Sequence, residues 1–545
     1  MMSSRRLLTL LLFTVGCGGS SAGTPDTGGG TPDGAPGRDA AVDAHPDARA
    51  ACTDTPATCA AAWEQTASDT YDALQSDPDS LATFLRAVPK GGDLHNHLSG
   101  AIYAETLLGW GATDGDCVNS ATDSAVNHSA CSATNLAIPS SGSFFDAIVA
   151  AWSMKDFTPP TGSTGHDHFF STFGKFGLIA GVHRNDGLAD VAQRAFDENE
   201  VYVETMFNLG KNTGTLSASL STGTLTAADL PALYTKITTN AGFAAAVTND
   251  ANVVTAAYAG YRHALGCDDL GTPAACAVEM RFIAQVSRTG ASDQVFGQLI
   301  GSFEMAKQTG LIVGANLSSP EDDSSSLANY NLQMAMLDLL HTQYAGTSPL
   351  HITLHAGELV PAQLPPGNTF HIRAAVETGH AERIGHGLDV GAESDPEALL
   401  TEMAAAKVLV EVCLSSNTQI LGISGPAHPL AQYLAHGVPV ALGTDDQGVS
   451  RSSMAGEYLR AALDQHLTYR QLKTLARNSL EHAFLPGPSL WSTDVGTAVT
   501  ACAATATMGI GDDPNAACAA YLATSERATL QWSLEHNFLV FESAL

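Results

Sequence analysis

Two histidines one residue apart, His95-Asn96-His97, are the most pointed chemical feature of this chain. In an extended strand, residues i and i+2 project to the same side, so both imidazoles can meet one metal ion. The spacing also arises by chance. His166-Asp167-His168 repeats it inside a stretch of helical spacing, where i and i+2 diverge, and reads as structural or as part of a pocket wall. The first pair gains weight from three later segments: His355-Ala356-Gly357-Glu358, Ile384-Gly385-His386-Gly387 and Gly443-Thr444-Asp445-Asp446. Each closes a short apolar run. Taken singly, each has an ordinary reading as a satisfied core histidine or an Asp pair in a turn. Imidazole nitrogens with a carboxylate oxygen are a donor set that suits zinc.

The elements that must position these groups follow from hydrophobic periodicity. Apolar or alternating runs predict strands over residues 92–98, 201–207, 278–286, 311–317, 351–355, 383–386, 408–413 and 438–443. Between many of them lie Ala/Leu-rich stretches of helical spacing, over 186–198, 298–309, 327–344 and 397–406. Eight strands alternating with helices imply an α/β chain closed as a (β/α)8 TIM barrel, while an open doubly wound sheet fits periodicity alone. Active groups of such barrels project from the C-terminal ends of the strands. The four chemical segments end strands one, five, six and eight, so they would converge on one mouth. Residues 61–88 predict an N-terminal helix capping the barrel. The long interval after strand one predicts an insertion over the mouth at about 112–165. Residues from about 490 predict a C-terminal extension ending in a helix near 519–535.

The run Pro89-Lys90-Gly91-Gly92-Asp93-Leu94-His95-Asn96-His97-Leu98-Ser99-Gly100 resembles the opening motif of the adenosine deaminase family, within the metal-dependent amidohydrolases. The segments around His355, His386 and Asp445-Asp446 are similar to its other signatures. Ala476-Arg477-Asn478-Ser479, with Phe484-Leu485-Pro486, resembles its closing helix. The resemblance runs from about residue 85 to 486. The insertion with its cysteine pair and the exported context are similar in layout to secreted adenosine deaminase-related growth factors. The resemblance implies one zinc ion per chain on His95, His97, His355 and Asp445, which would make a water acidic enough to attack near neutral pH. It implies that His386, with Asp445, orients that water and takes its proton. Glu358 would protonate purine N1 as ammonia leaves C6, which requires a raised carboxyl pKa. Asp446 would hold N7, and His97, Ser99 and Ser319 would complete the substrate pocket. Two positions depart from the pattern. Ser99 stands where family members acting on adenosine carry an aspartate for the ribose 5′-hydroxyl, and Ser319 stands for a glycine whose N–H meets purine N3. The implied reaction is hydrolysis of adenosine and 2′-deoxyadenosine, with adenine or a 5′-modified adenosine as the alternative. A non-catalytic binding or signalling protein would have no need of both the acid and the base.

Composition sets the surroundings. With 25 Lys+Arg against 56 Asp+Glu, the net charge of −31 repels phosphate backbones and argues against nucleic acid as a partner. A neutral nucleoside is not affected. Arg5 and Arg6 precede the apolar run 7–15, too short to span a bilayer, and Thr14-Val15-Gly16-Cys17 resembles a bacterial lipobox. Residues 1–17 are thus expected to be a lipoprotein signal, with Cys17 as the lipid anchor to the outer membrane or cell surface; a cleaved signal and secretion is the alternative. Residues 18–60, rich in Gly, Pro, Ala and Asp, predict a disordered linker, and 61–545 the deaminase-type barrel. Sequence-local cysteine pairs in an exported chain suggest four disulfides, Cys52–Cys59, Cys117–Cys131, Cys267–Cys276 and Cys502–Cys518, with Cys413 free. Oligomeric state is left open, a dimer included.

Overall fold

The computed structural model describes residues 56–268, 272–503 and 510–545; the expected signal, Cys17 and nearly all of the linker lie outside the described residues. Eight strands form the centre: β1 (Gly91–His97), β2 (Glu200–Asn208), β3 (Glu279–Ser287), β4 (Ile312–Ser318), β5 (His351–Ala356), β6 (Arg383–His386), β7 (Leu409–Val412) and β8 (Val440–Leu442). They pair in chain order, every pair parallel. The last strand returns to the first through a parallel bridge between Asn96 and Asp445. There the His97 amide donates to the Asp445 carbonyl (3.0 Å) and the Asp445 amide to the His95 carbonyl (2.7 Å). The seam that closes the barrel thus runs through the expected ligands. Strands buried on both faces read as continuous apolar runs, which is why all eight were visible in the sequence.

Two expected helices are each divided in the structure. Residues 61–88 hold α1 (Pro56–Leu74) and α2 (Pro78–Ala87), because Asp77 caps the second, accepting from the Ser80 amide at 3.3 Å, and Pro78 opens it. Near the C-terminus, Ser525 separates a helix over Ala516–Leu522 from one over Glu526–Ser543, taking the Ala528 amide at 3.0 Å. The long segment after β1 carries a small antiparallel sheet (Cys117–Asn119, Ala125–Val126, Asn135–Ala137) and α3 (Gly165–Val182). A Thr164/Asp167 capping box starts α3.

Cys117–Cys131, Cys267–Cys276 and Cys502–Cys518 are bridged, and Cys413 is a buried free thiol. Cys52 lies outside the described residues.

Inside the barrel a buried ion network lies beneath the mouth. The guanidinium of Arg383 on β6 donates to Glu411 on β7 and to Glu204 on β2, both at 2.6 Å. All three side chains are at most 1% exposed. Glu411 continues upward, its second oxygen lying 2.6 Å from His95 Nδ1.

Candidate active site

Period-two alternation in β1 turns His95 and His97 to one side, where His355 from the end of β5 and Asp445 just after β8 meet them. One ligand atom from each of the four lies within 4.8 Å of the others, and all four residues are buried. His97 Nε2 is 3.1 Å from His355 Nε2 and 3.4 Å from Asp445 Oδ1; His95 Nε2 is 3.6 Å from the same oxygen. A tetrahedral ion with bonds of about 2.1 Å sets its donors about 3.4 Å apart, so these separations fit one.

The other ring nitrogens explain the orientation. His95 Nδ1 lies against Glu411 (2.6 Å), His97 Nδ1 against the Gln285 carbonyl oxygen (3.2 Å) and His355 Nδ1 against that of Asn316 (2.6 Å). Each imidazole can donate from Nδ1 and keep its Nε2 lone pair for a common point, the pattern that holds metal-binding histidines in register. His95 Nε2 is buried without a hydrogen-bond partner among the described residues. Burial, with the neighbouring imidazoles, pushes His355 well below the ordinary histidine range, and burial holds His97 down to about 4. Both are neutral, as ligands must be. Against the upward push of burial, Arg383 and His95 hold Glu411 down to about 2, so it remains an anion behind His95. Donor set, spacing and orphaned nitrogen all suit a divalent cation.

Beside this cluster a cavity of about 340 Å³ is lined by His97, Ser99, Gln285, Ser319, Glu358 and Asp446, among others. The Phe169, Phe170 and Phe173 rings of α3 form an apolar wall. Glu358 Oε1 is 3.7 Å from His386 Nε2. Burial, then the charges of Asp445 and Glu321, raise the Glu358 carboxyl well above its ordinary value, the direction a proton donor requires. Burial and Asp445 do the same to Asp446. Glu321 fixes the turn that carries Glu358, accepting the Gly357 and Glu358 amides at 3.1 and 2.9 Å.

Three of these side chains sit on backbone that non-glycine residues seldom adopt. His386, Asp445 and Ser319 have φ of +67°, +57° and +89°. Ser319 thus sits on left-handed backbone that favours glycine. His166 and His168 are helical, as the spacing predicts, and turn elsewhere, to Asp322 (3.2 Å) and to the Ser153 carbonyl (3.0 Å).

Residues 250–490 match the adenosine deaminase family model. The matched span includes His355, Glu358, His386, Asp445 and Asp446, whereas His95 and His97 precede it. An adenosine deaminase of Serratia proteamaculans is 39% identical over 150 residues, 27% of this chain and 42% of that protein. The match thus spans less than half of that relative. Among solved structures, similarity extends to an adenine deaminase of Arthrobacter aurescens (18% identity, TM-score 0.45, covering 73% of this chain and 94% of that one). An Arabidopsis N6-mAMP deaminase is also similar (21% identity, TM-score 0.47, covering 74% and 95%).

Several side chains that contact these histidines, directly or through Asn417, were not found from sequence: Gln285, Asn316, Glu411, Asn417 and His428. Glu411 carried a signal, a carboxylate inside an apolar strand, a setting where charges are rare unless paired. The others are ordinary polar residues until the fold brings them to a histidine.

Proposed function

We propose that this chain is a zinc-dependent hydrolytic deaminase that converts adenosine and 2′-deoxyadenosine to the corresponding inosines and ammonia. The observation that carries the reading is the convergence of four donors able to hold a metal ion, a Glu358 carboxyl of raised pKa and a buried His386 on one cavity of nucleobase size. Zinc on His95, His97, His355 and Asp445 would supply the Lewis acidity that makes a water a nucleophile at neutral pH. His386 and Asp445 hold that water toward purine C6, and Asp445 accepts its proton. Glu358 delivers a proton to N1 as C6 becomes tetrahedral, which draws charge off the ring. The protonated Asp446 carboxyl donates to N7. The Ser319 backbone, still in a glycine conformation, is available to N3. The phenylalanines of α3 exclude water from the base. Ammonia then leaves C6 with the proton that Asp445 took from the water, and the C6 hydroxyl returns its proton to Glu358 as the carbonyl forms.

The sugar end sets the substrate. Ser99 is neutral, and no lysine or arginine lines this cavity or the larger one beside it, among the described residues. A phosphate would find no counter-charge, which favours nucleosides over nucleotides. Ser99 also supports a second reading, adenine or an adenosine carrying a 5′ substituent, because it takes no charge-assisted bond from a 5′-hydroxyl. A deamination panel of adenosine, 2′-deoxyadenosine, adenine, AMP and 5′-modified adenosines separates these. Highest kcat/KM for the two nucleosides is expected; a preference for adenine or a 5′-modified nucleoside selects the second reading, and a preference for AMP contradicts both.

For the N-terminus, we propose export with lipidation at Cys17 and a linker over 18–60. The three bridged cysteine pairs support an oxidising compartment.

A further inference from the structure

The proton on His386 is placed from outside the site. Helix α4 (Leu414–Leu421) follows β7 and carries Asn417, which is fully buried between two histidines. The backbone N–H of Leu430 points at His428 Nδ1 (3.1 Å), so that nitrogen must accept. Burial holds His428 neutral, down to about 4. A neutral imidazole that accepts at Nδ1 bears its proton on Nε2. The atom of Asn417 that His428 Nε2 meets at 3.1 Å is therefore the carbonyl oxygen. The Asn417 amide NH2 is then turned to His386 Nδ1, 3.0 Å away, and can only donate. The same rule, applied once more, leaves the proton of His386 on Nε2. That nitrogen is buried, without a hydrogen-bond partner among the described residues, and faces Glu358.

We infer that the Leu430–His428–Asn417 relay locks neutral His386 in its Nε2–H form, making it a hydrogen-bond donor to the attacking water and not the acceptor of its proton. This rests on the deaminase reading for the identity of that water. It divides a role that the family resemblance gives to His386 and Asp445 together: His386 orients, and Asp445 accepts. Asn417 and His428 are positioning residues. They touch no reacting atom.

The decisive variant is Asn417→Asp, which keeps the shape and replaces the donor with an acceptor. The full chain, labelled with ¹⁵N-histidine, is compared metal-free and zinc-loaded, the His386 signals being assigned from their loss in His386→Gln. The wild type should show a protonated Nε2 and an unprotonated Nδ1 at His386, and Asn417→Asp should place a proton on Nδ1. With zinc content and KM little changed, kcat should then fall by more than about tenfold, as wrong-tautomer variants of catalytic histidines do. Should the buried carboxylate prevent folding, His428→Phe removes the anchor while keeping an aromatic ring, and His386 should show a mixture of both forms. A proton on Nδ1 in the wild type would overturn the inference. So would an unchanged His386 in folded Asn417→Asp or His428→Phe. A wild-type chain with the expected tautomer but no deaminase activity overturns the functional reading and leaves the lock standing.

Discussion

At the scale of residues, the proposed acid is Glu358. Glu358→Gln keeps the shape but is a very poor proton donor. Its kcat should fall roughly 10²–10⁴-fold while zinc content and melting temperature stay near wild type. Near-normal turnover with lost zinc or stability would instead make Glu358 a brace for its turn. The pH dependence has a definite sign. Burial, with Asp445 and Glu321, raises the carboxyl pKa, and the acid works only while protonated. Activity should therefore be present below that raised pKa and be lost as pH rises through it. The residue chemistry was legible where local geometry alone places the side chain: the two-residue period of β1 for His95 and His97, and strand ends for His355, His386 and Asp445. It was not legible where a side chain reaches the site across the barrel, as Glu411 does, or from a helix, as Asn417 does. Their roles exist only after strands distant in sequence become neighbours.

At the scale of elements, close approach accounts for more than propensity does. The short helix Leu98–Ala101 leans on the β8 turn so tightly that a Cβ on Gly100 would fall 2.0 Å from Asp446 Oδ1. Gly100→Ala should displace Asp446 and raise KM at least several-fold, with zinc content unchanged; steady-state kinetics with metal analysis checks this. A second case concerns stability. Glu457, on the helix Met454–Leu463, is buried and accepts the Ser415 amide at 3.2 and 3.3 Å. Burial outweighs those bonds and holds its pKa up at about 7. A carboxyl whose folded pKa lies above its unfolded value favours the fold when protonated, so stability is present at low pH and declines from about pH 4.5 through 7. Relative to Glu457→Gln, the wild type should lose on the order of 3 kcal/mol across that window. Denaturant titrations of both proteins at pH 5 and pH 8 measure it; a pH-independent difference contradicts the assignment. Strand positions were readable because buried parallel strands are continuous apolar runs. The breaks at Pro78 and Ser525 were missed because apolar spacing carries on across them.

At the scale of the whole molecule, eight strands deliver side chains from positions 95 to 446 to one mouth, and the seam that closes the barrel passes through His95, His97 and Asp445. A metal bound there should tie the seam together. Chelation should lower the melting temperature as well as abolish activity, since a ligand at 100 times its Kd stabilises by about 2.7 kcal/mol. The most direct test of the account takes one preparation and reads two quantities from it: metal content by elemental analysis, and the conversion of adenosine to inosine. The wild type should hold one zinc per chain and deaminate adenosine, while His95→Ala and Asp445→Ala should lose both together. A preparation that deaminates without stoichiometric metal, or one that holds its zinc and leaves every aminopurine intact, would contradict the account.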